Sequence, residues 1–315
     1  MAGAFADGKG GGVTRDGDFE LVTLRGGARA VRHMGHGEVM HPAGGPWAEA
    51  NRLYVEQPAL AQRLARVGRV GRSVVILDVG LGAATNAVAA LSCARACGGR
   101  VEIHSFEIDL APLRLALGDG AGFPFLQPFA DAARALMADG SWAGPEGRWI
   151  LHQGDALDWL ATLGARGMRA DLVFFDPFSP QHNSRLWTAE AFAAVRACCE
   201  PGGRCDGDAE GHSAEPADGA LLMTYSAATP TRVSMLLAGF FVGSGLSTGS
   251  KRETTVAATQ RSDLVAPLAG RWLQRWGRSS ARGPVGSQTL TPQMEAAVLA
   301  HPQFAADLLL DRLAG

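Results

Sequence analysis

The chain has 315 residues, 47% of them hydrophobic, enough to bury one sizeable α/β core with appendages. Its formal net charge of −2 excludes a wholly basic nucleic-acid binder but not one with a local basic patch. No run approaches the ~20 apolar residues of a membrane helix, so no membrane partner and a cytoplasmic location are expected. Five cysteines lack metal-ligand spacing, with Cys93 and Cys97 one helical turn apart and Cys198 beside Cys199, which reads as reduced core thiols and no metal.

Residues 1–18 are Gly-rich and polar without an apolar core, and read as a disordered tail rather than a signal peptide. Ser73–Asp78 is an apolar strand that runs into Val79-Gly80-Leu81-Gly82-Ala83-Ala84-Thr85-Asn86 and then into Ala87–Leu91, helical by composition. Such a unit points backbone N–H groups at a ligand, with Gly80 permitting the tight turn and Gly82 the close approach. The turn completes neither known three-glycine fingerprint, because Thr85 and Ala84 stand where each wants a further glycine. Val101–Glu107 alternates as a strand and ends in an acid 25 residues beyond Gly82, the place for a carboxylate on ribose hydroxyls. His152-Gln153-Gly154-Asp155 ends another short strand before a helix over Leu157–Leu163.

Leu172–Phe175 is a continuous apolar run, the mark of a buried parallel strand. It delivers Asp176 to the carboxyl edge of the sheet, where such folds bind ligands, and Pro177 and Pro180 stiffen the backbone just beyond. A bare strand-ending Asp often only caps a loop; the rigid Pro-x-x-Pro turn favours a site. Three acids at successive strand ends, Glu107, Asp155 and Asp176, favour a nucleoside-containing cofactor over solvated surface charge. Arg204–Gly219 is a Gly/Asp/Glu-rich insert and reads as a mobile surface loop before the strand Ala220–Tyr225. Near the C-terminus, Arg271 and Arg275 would share one helix face and Trp272 and Trp276 another, either as a basic patch or as tryptophans docked in a core.

From Gly37 to Ala258 the chain resembles the bacterial methyltransferases that make the 5-methylaminomethyl group of wobble uridine in tRNA. The resemblance rests on Glu38-Val39-Met40-His41-Pro42 with Glu49-Ala50 and Tyr54; Gly80-Leu81-Gly82 with Asn86; Asp176-Pro177-Phe178-Ser179-Pro180 with Asn183 and Trp187; and Gly249-Ser250-Lys251-Arg252-Glu253. Ala84 replaces the family's usual glycine, and Ser184 a common proline. The resemblance implies a Rossmann-like class I methyltransferase, a doubly wound, mostly parallel sheet with a C-terminal antiparallel hairpin. It implies an N-terminal substrate-side region over 19–70, a core over 71–260 and a helical extension over 261–315.

S-adenosylmethionine is the implied donor, with Glu49, Gly80, Gly82, Asn86, Glu107, Asp155, Asp176 and Pro177 as cofactor residues. Glu107 would hold the ribose, Asp155 the adenine amino group, and Asp176 would lie beside the reactive methyl as the catalytic group. Met40, His41, Tyr54, Phe178, Asn183, Trp187, Lys251 and Arg252 are the implied substrate residues, and the anticodon region of tRNA the implied partner. A lone histidine such as His41 is as readily structural, and Trp187 is either a base-stacking platform or a core residue. No second strand–glycine–helix unit follows Tyr225, so a stand-alone methyltransferase lacking a flavin oxidoreductase domain and acting only on aminomethyluridine is expected. An aminopropyl transferase of the spermidine synthase type and a non-catalytic module binding cofactor or tRNA are the alternatives.

Overall fold

The computed structural model describes residues 14–40, 45–202, 218–248, 252–287 and 289–305. His41, Lys251, residues 1–13 of the expected tail, and the expected insert apart from Asp218 and Gly219 lie outside these residues. Packing divides the chain into two units, one of Met1–Trp159, Phe174–Phe178 and Leu246–Arg252, the other of Leu160–Val173, Ser179–Gly245 and Glu253–Gly315.

The first unit opens with an antiparallel sheet of β1 (Arg15–Asp16), β2 (Phe19–Thr23) and β3 (Arg29–His33). Arg15 and Asp16, expected in the tail, pair with Glu20 and Phe19. Short strands studded with charge give little apolar alternation, which hides them in the sequence. Here the charge is compensated inside the sheet, where Glu20 is buried between Arg15 and Arg32. Helix α1 (Pro46–Ala50) continues through a wide π-helical turn, Asn51–Glu56, before α2 (Leu60–Gly68).

Next come β4 (Val74–Val79), α3 (Thr85–Cys97), β5 (Val101–Glu107), α4 (Ala111–Gly118), α5 (Ala130–Asp139), β6 (Ser141–Gly144) and β7 (Gly147–Gln153). Strands β4, β5 and β7 are parallel neighbours, and β6 turns back antiparallel on β7. Their apolar runs bury Ile76, Leu77, Val79, Ile103, Phe106 and Trp149 almost completely. Each such side chain contributes on the order of 1.5–3 kcal/mol relative to exposure. A hydrogen-bond chain ties the three strands inside this core: Trp149 Nε1 donates to Ser105 Oγ at 2.9 Å, and Ser105 Oγ to Asp78 Oδ2 at 2.7 Å.

Helix α6 (Ala156–Ala165) and strand β8 (Leu172–Phe175) contribute residues to both units. In the second unit, α7 (Ala189–Ala197), β9 (Leu221–Thr224), α8 (Thr229–Leu237), β10 (Phe241–Gly245), β11 (Thr254–Ala258), α9 (Gly270–Gly277) and α10 (Pro292–Leu299) follow in order. Strand β11 is antiparallel to both β9 and β10, which is the C-terminal hairpin expected from sequence. Gln303 locks this unit, accepting from Val242 N at 2.6 Å and donating to Val242 O and Leu268 O at 2.7 Å. On α9, Trp272 and Trp276 are buried and stacked while Arg271 and Arg275 face outward, the core-docking arrangement of that segment. Cys198 and Cys199 are buried thiols, Cys93 is half-buried and Cys97 exposed.

Candidate active site

The first unit brings the strand-end residues together around the turn after β4. Gly80 has φ +91, and a Cβ there would lie 2.8 Å from Asp176 O and 3.0 Å from Pro177 Cα. Only glycine meets both conditions, so the glycine turn and the Asp-Pro segment are in backbone contact. Asp176 N donates to Val79 O at 2.9 Å, which continues the strand pairing to the catalytic candidate itself. Asn86, in the first turn of α3, donates from Nδ2 to Asp176 Oδ2 at 2.8 Å and so fixes the carboxylate.

Glu107 closes the other side. Its Oε2 accepts from Gly82 N at 2.9 Å, and its Oε1 from Ile108 N at 2.8 Å and Asp109 N at 3.2 Å. Burial nevertheless raises its pKa: the backbone N–H groups of Gly82, Asp109 and Ile108 pull down, and the charge of Asp109 pushes up. Gly154, at φ +124, donates to Glu107 O at 2.9 Å and holds the β7 loop against the end of β5. Asp155 on that loop is half-buried and accepts from Leu157 N at 2.9 Å, so it also caps the start of α6.

The sequence reading passed over one member. Asp78 is fully buried beneath the turn, and its pKa is pushed up to about 7 by burial, with the charges of Asp176 and Glu107 adding to the rise and the Ser105 hydroxyl opposing it. The available signal was its place two residues before Gly80; its burial is not visible in the sequence. Ala84 adopts the left-handed φ of 62°. The turn thus keeps a glycine-like backbone without the glycine, at a strain of roughly 1–2 kcal/mol.

The remaining cofactor and substrate candidates fall into two groups. Glu49 is buried on α1 and accepts from Thr248 Oγ1 at 3.4 Å. Tyr54 is buried with its ring 4.9 Å from that of Phe174, and Met40 Sδ lies 3.4 Å from where a Cβ on Gly82 would be. Phe178 is half-buried among Phe19, His33 and His36. These all belong to the first unit, as does Arg252; Asn183 and Trp187 belong to the second. Trp187 has no exposed surface and meets Phe192 and Tyr225 edge-on, which is the core placement and not a stacking platform in this conformation.

Three buried oxygens around the turn, Asp78 Oδ1, Thr85 Oγ1 and Asn86 Oδ1, have no hydrogen-bond partner among the described residues. Buried polar atoms in that state call for a ligand or water. Asn86 Oδ1 can only accept, Asp78 Oδ1 accepts once the carboxyl is ionised, and both sit with buried carboxylates, which fits a partner rich in N–H donors and carrying positive charge. The amino-acid portion and sulfonium of S-adenosylmethionine fit that description, and Glu107 fits its ribose hydroxyls. Among the described residues no group of His, Cys, Asp and Glu could hold a metal ion, and no helix is long and apolar enough to cross a membrane.

Comparison with known proteins agrees with this chemistry. Residues 145–207 and 213–260 match the S-adenosyl-L-methionine-dependent methyltransferase family. A tRNA 5-methylaminomethyl-2-thiouridine biosynthesis bifunctional protein MnmC from Methylibium petroleiphilum is 27% identical over 243 residues, 75% of this chain and 34% of that protein. Its namesake from Burkholderia vietnamiensis is 26% identical over 297 residues, 89% of this chain and 39% of that one. The chain therefore spans about a third of the length of these curated relatives, 34% and 39% respectively. The crystal structure of MNMC2 from Aquifex aeolicus shares the fold, with a TM-score of 0.64 and 23% identity over 90% of this chain and 85% of that one.

Proposed function

We propose that this chain, an S-adenosylmethionine-dependent methyltransferase related to the methyltransferase part of those bifunctional proteins, N-methylates the 5-aminomethyl group of wobble uridine in tRNA. The observation that carries the reading is the Asn86-held Asp176 in backbone contact with the glycine turn, beside buried acceptors that lack partners.

S-adenosylmethionine, when bound, would supply a sulfonium methyl that the amine nitrogen attacks, the N–C bond forming as the S–C bond breaks and S-adenosylhomocysteine leaves. Gly80 and Gly82 would lie beside its methionine portion, Glu107 would hold the ribose, and Asp155 the adenine amino group. The open oxygens of Asp78 and Asn86 would receive the ammonium of the methionine portion. An alkyl amine has a pKa of roughly 10.4 and enters mostly protonated. Asp176 accepts a hydrogen bond from it, aims the nitrogen lone pair once the amine is neutral, and takes the proton released when the N–C bond forms. A nearby carboxylate also favours the ammonium form, so Asp176 works as a positioner and final proton acceptor more than as a strong base. Holding both reactants in attack geometry can lower the barrier by up to about 7–11 kcal/mol.

Lys251 and Arg252 are assigned phosphate contacts. Neutralising both should lower the slope of log affinity for tRNA against log salt by about one unit per contact. The decisive experiment is turnover with labelled donor on unmodified and on aminomethyl-bearing tRNA. Methyl transfer to the amine-bearing tRNA alone is expected. Transfer of an aminopropyl group from the decarboxylated donor, or binding without turnover, would overturn the assignment.

A further inference from the structure

The N-terminal sheet places an aromatic surface beside the Asp176 segment that no step above uses. Strand β3 ends at His33, and the chain turns through Met34–Gly37 and comes back, with His33 N donating to Glu38 O at 2.9 Å and Met40 N to Val31 O at 2.8 Å. One end of this hairpin carries Met40 to the glycine turn; the other reaches Phe178, two residues past Asp176. His33 holds the turn, its Nδ1 accepting from Gly35 N at 3.1 Å and His36 N at 3.3 Å. The His36 ring lies flat on His33, centroids 4.2 Å apart and planes 24° apart. Phe178 meets His33 edge-on at 5.6 Å and 87°, meets His36 at 6.3 Å and 63°, and is backed by Phe19 at 6.4 Å. Phe19 is buried, Phe178 and His33 half-buried, and His36 exposed.

The layer is graded from the buried Phe19 to the exposed His36. Proteins read unpaired bases by stacking them on such aromatic faces, histidine included. We infer that the exposed His36 ring, fixed over His33 and Phe178, is a stacking platform for a nucleobase of the tRNA substrate next to the reacting amine. This rests on the tRNA reading of the same site and adds the residue that holds the base. His33 and Phe178 are positioning residues here: they set the angle and height of the platform.

The test pairs kinetics with a binding measurement that needs no turnover. His36→Ala should raise KM for aminomethyl tRNA about tenfold, with kcat and S-adenosylhomocysteine affinity close to wild type. His36→Phe, which keeps a flat ring, should recover most of that loss, and His36→Leu should not. Fluorescence anisotropy with an anticodon stem-loop RNA carrying unmodified uridine should show the same ordering of the three variants. An alanine variant with wild-type KM and RNA affinity, or phenylalanine and leucine variants that behave alike, overturns the platform. Should the wild-type protein bind the stem-loop with this ordering yet transfer no methyl to aminomethyl tRNA, the platform stands and the methylation reading falls.

Discussion

Buried charge is handled in opposite ways in two clusters, one in each unit. In the second unit, Arg232 lies buried with its Nε and Nη2 both partnered. Its Nε donates to Thr255 Oγ1 and its Nη2 to Thr254 O, both at 3.0 Å, and Nη2 also lies 3.0 Å from Glu253 Oε1. Burial pushes Glu253 up, but the Ser244 hydroxyl and the Arg232 charge outweigh it and its pKa falls below the usual range. In the first unit, Asp78 and Glu107 are raised instead, and neither has a cationic partner among the described residues. A fold that merely needed stability would pair or remove these acids. The contrast fits the proposed function, in which a cation arrives at the first cluster with the ligand, while Glu253 has its cation in Arg232 within the fold.

That contrast can be broken most sharply at Asp176. Asp176→Asn keeps the shape and loses the charge, so single-turnover methyl transfer should drop by ~10²–10⁴-fold. Affinity for S-adenosylhomocysteine, read by calorimetry, should stay near wild type; near-normal turnover with saturating tRNA would remove the role given to this carboxylate. Glu107→Ala comes next. A ribose-holding carboxylate makes charge-assisted hydrogen bonds worth ~1.5–3 kcal/mol, so S-adenosylhomocysteine should bind about 10–150-fold more weakly with tRNA affinity little changed.

Arg232→Met tests the completed cluster and should lower unfolding free energy by about 2 kcal/mol in urea while leaving cofactor affinity intact. Loss of affinity without loss of stability would reverse the assignment of the two regions.

The smallest effect is the pH dependence of Asp78. The folded protein keeps its proton up to about pH 7, whereas the unfolded chain releases it near about 3.9. The native state therefore binds more protons across that interval, and stability falls as pH rises from about 4 to about 7, then levels. Asp78→Asn should flatten this part of the urea profile relative to wild type. An unaltered slope would mean that Asp78 is ionised in the fold throughout.

How much of this was legible in the sequence follows from what each residue had to do. Buried parallel strands must be apolar on both faces, so Ser73–Asp78 and Leu172–Phe175 stood out, close to the observed Val74–Val79 and Leu172–Phe175, and Asp176 follows directly on the second. Glu107 was found by its spacing from Gly82, and the structure joins the two by a direct hydrogen bond. The N-terminal sheet escaped because its strands are short and its charges are compensated only across strands, Glu20 by Arg15 and Arg32. Asp78 escaped because its chemistry is a matter of depth. The His33 and His36 platform escaped because a turn of glycines, methionine and histidines has no period, and the stack exists only once the hairpin closes. The Trp187 placement was one of two open readings, and only the ring contacts with Phe192 and Tyr225 separate them.

The contact between Gly80 and the carbonyl of Asp176 carries a genetic consequence. Position 80 admits no side chain without moving the backbone that presents the carboxylate, so one lesion there strikes two functions. In a collection of random variants, substitutions at Asp176 would form one phenotypic class, inactive yet still cofactor-loaded, and those at Glu107 another, rescued by excess donor. Substitutions at Gly80 would fall in neither. They would be inactive, poorly loaded and not rescued by donor, although the residue contributes no functional group of its own.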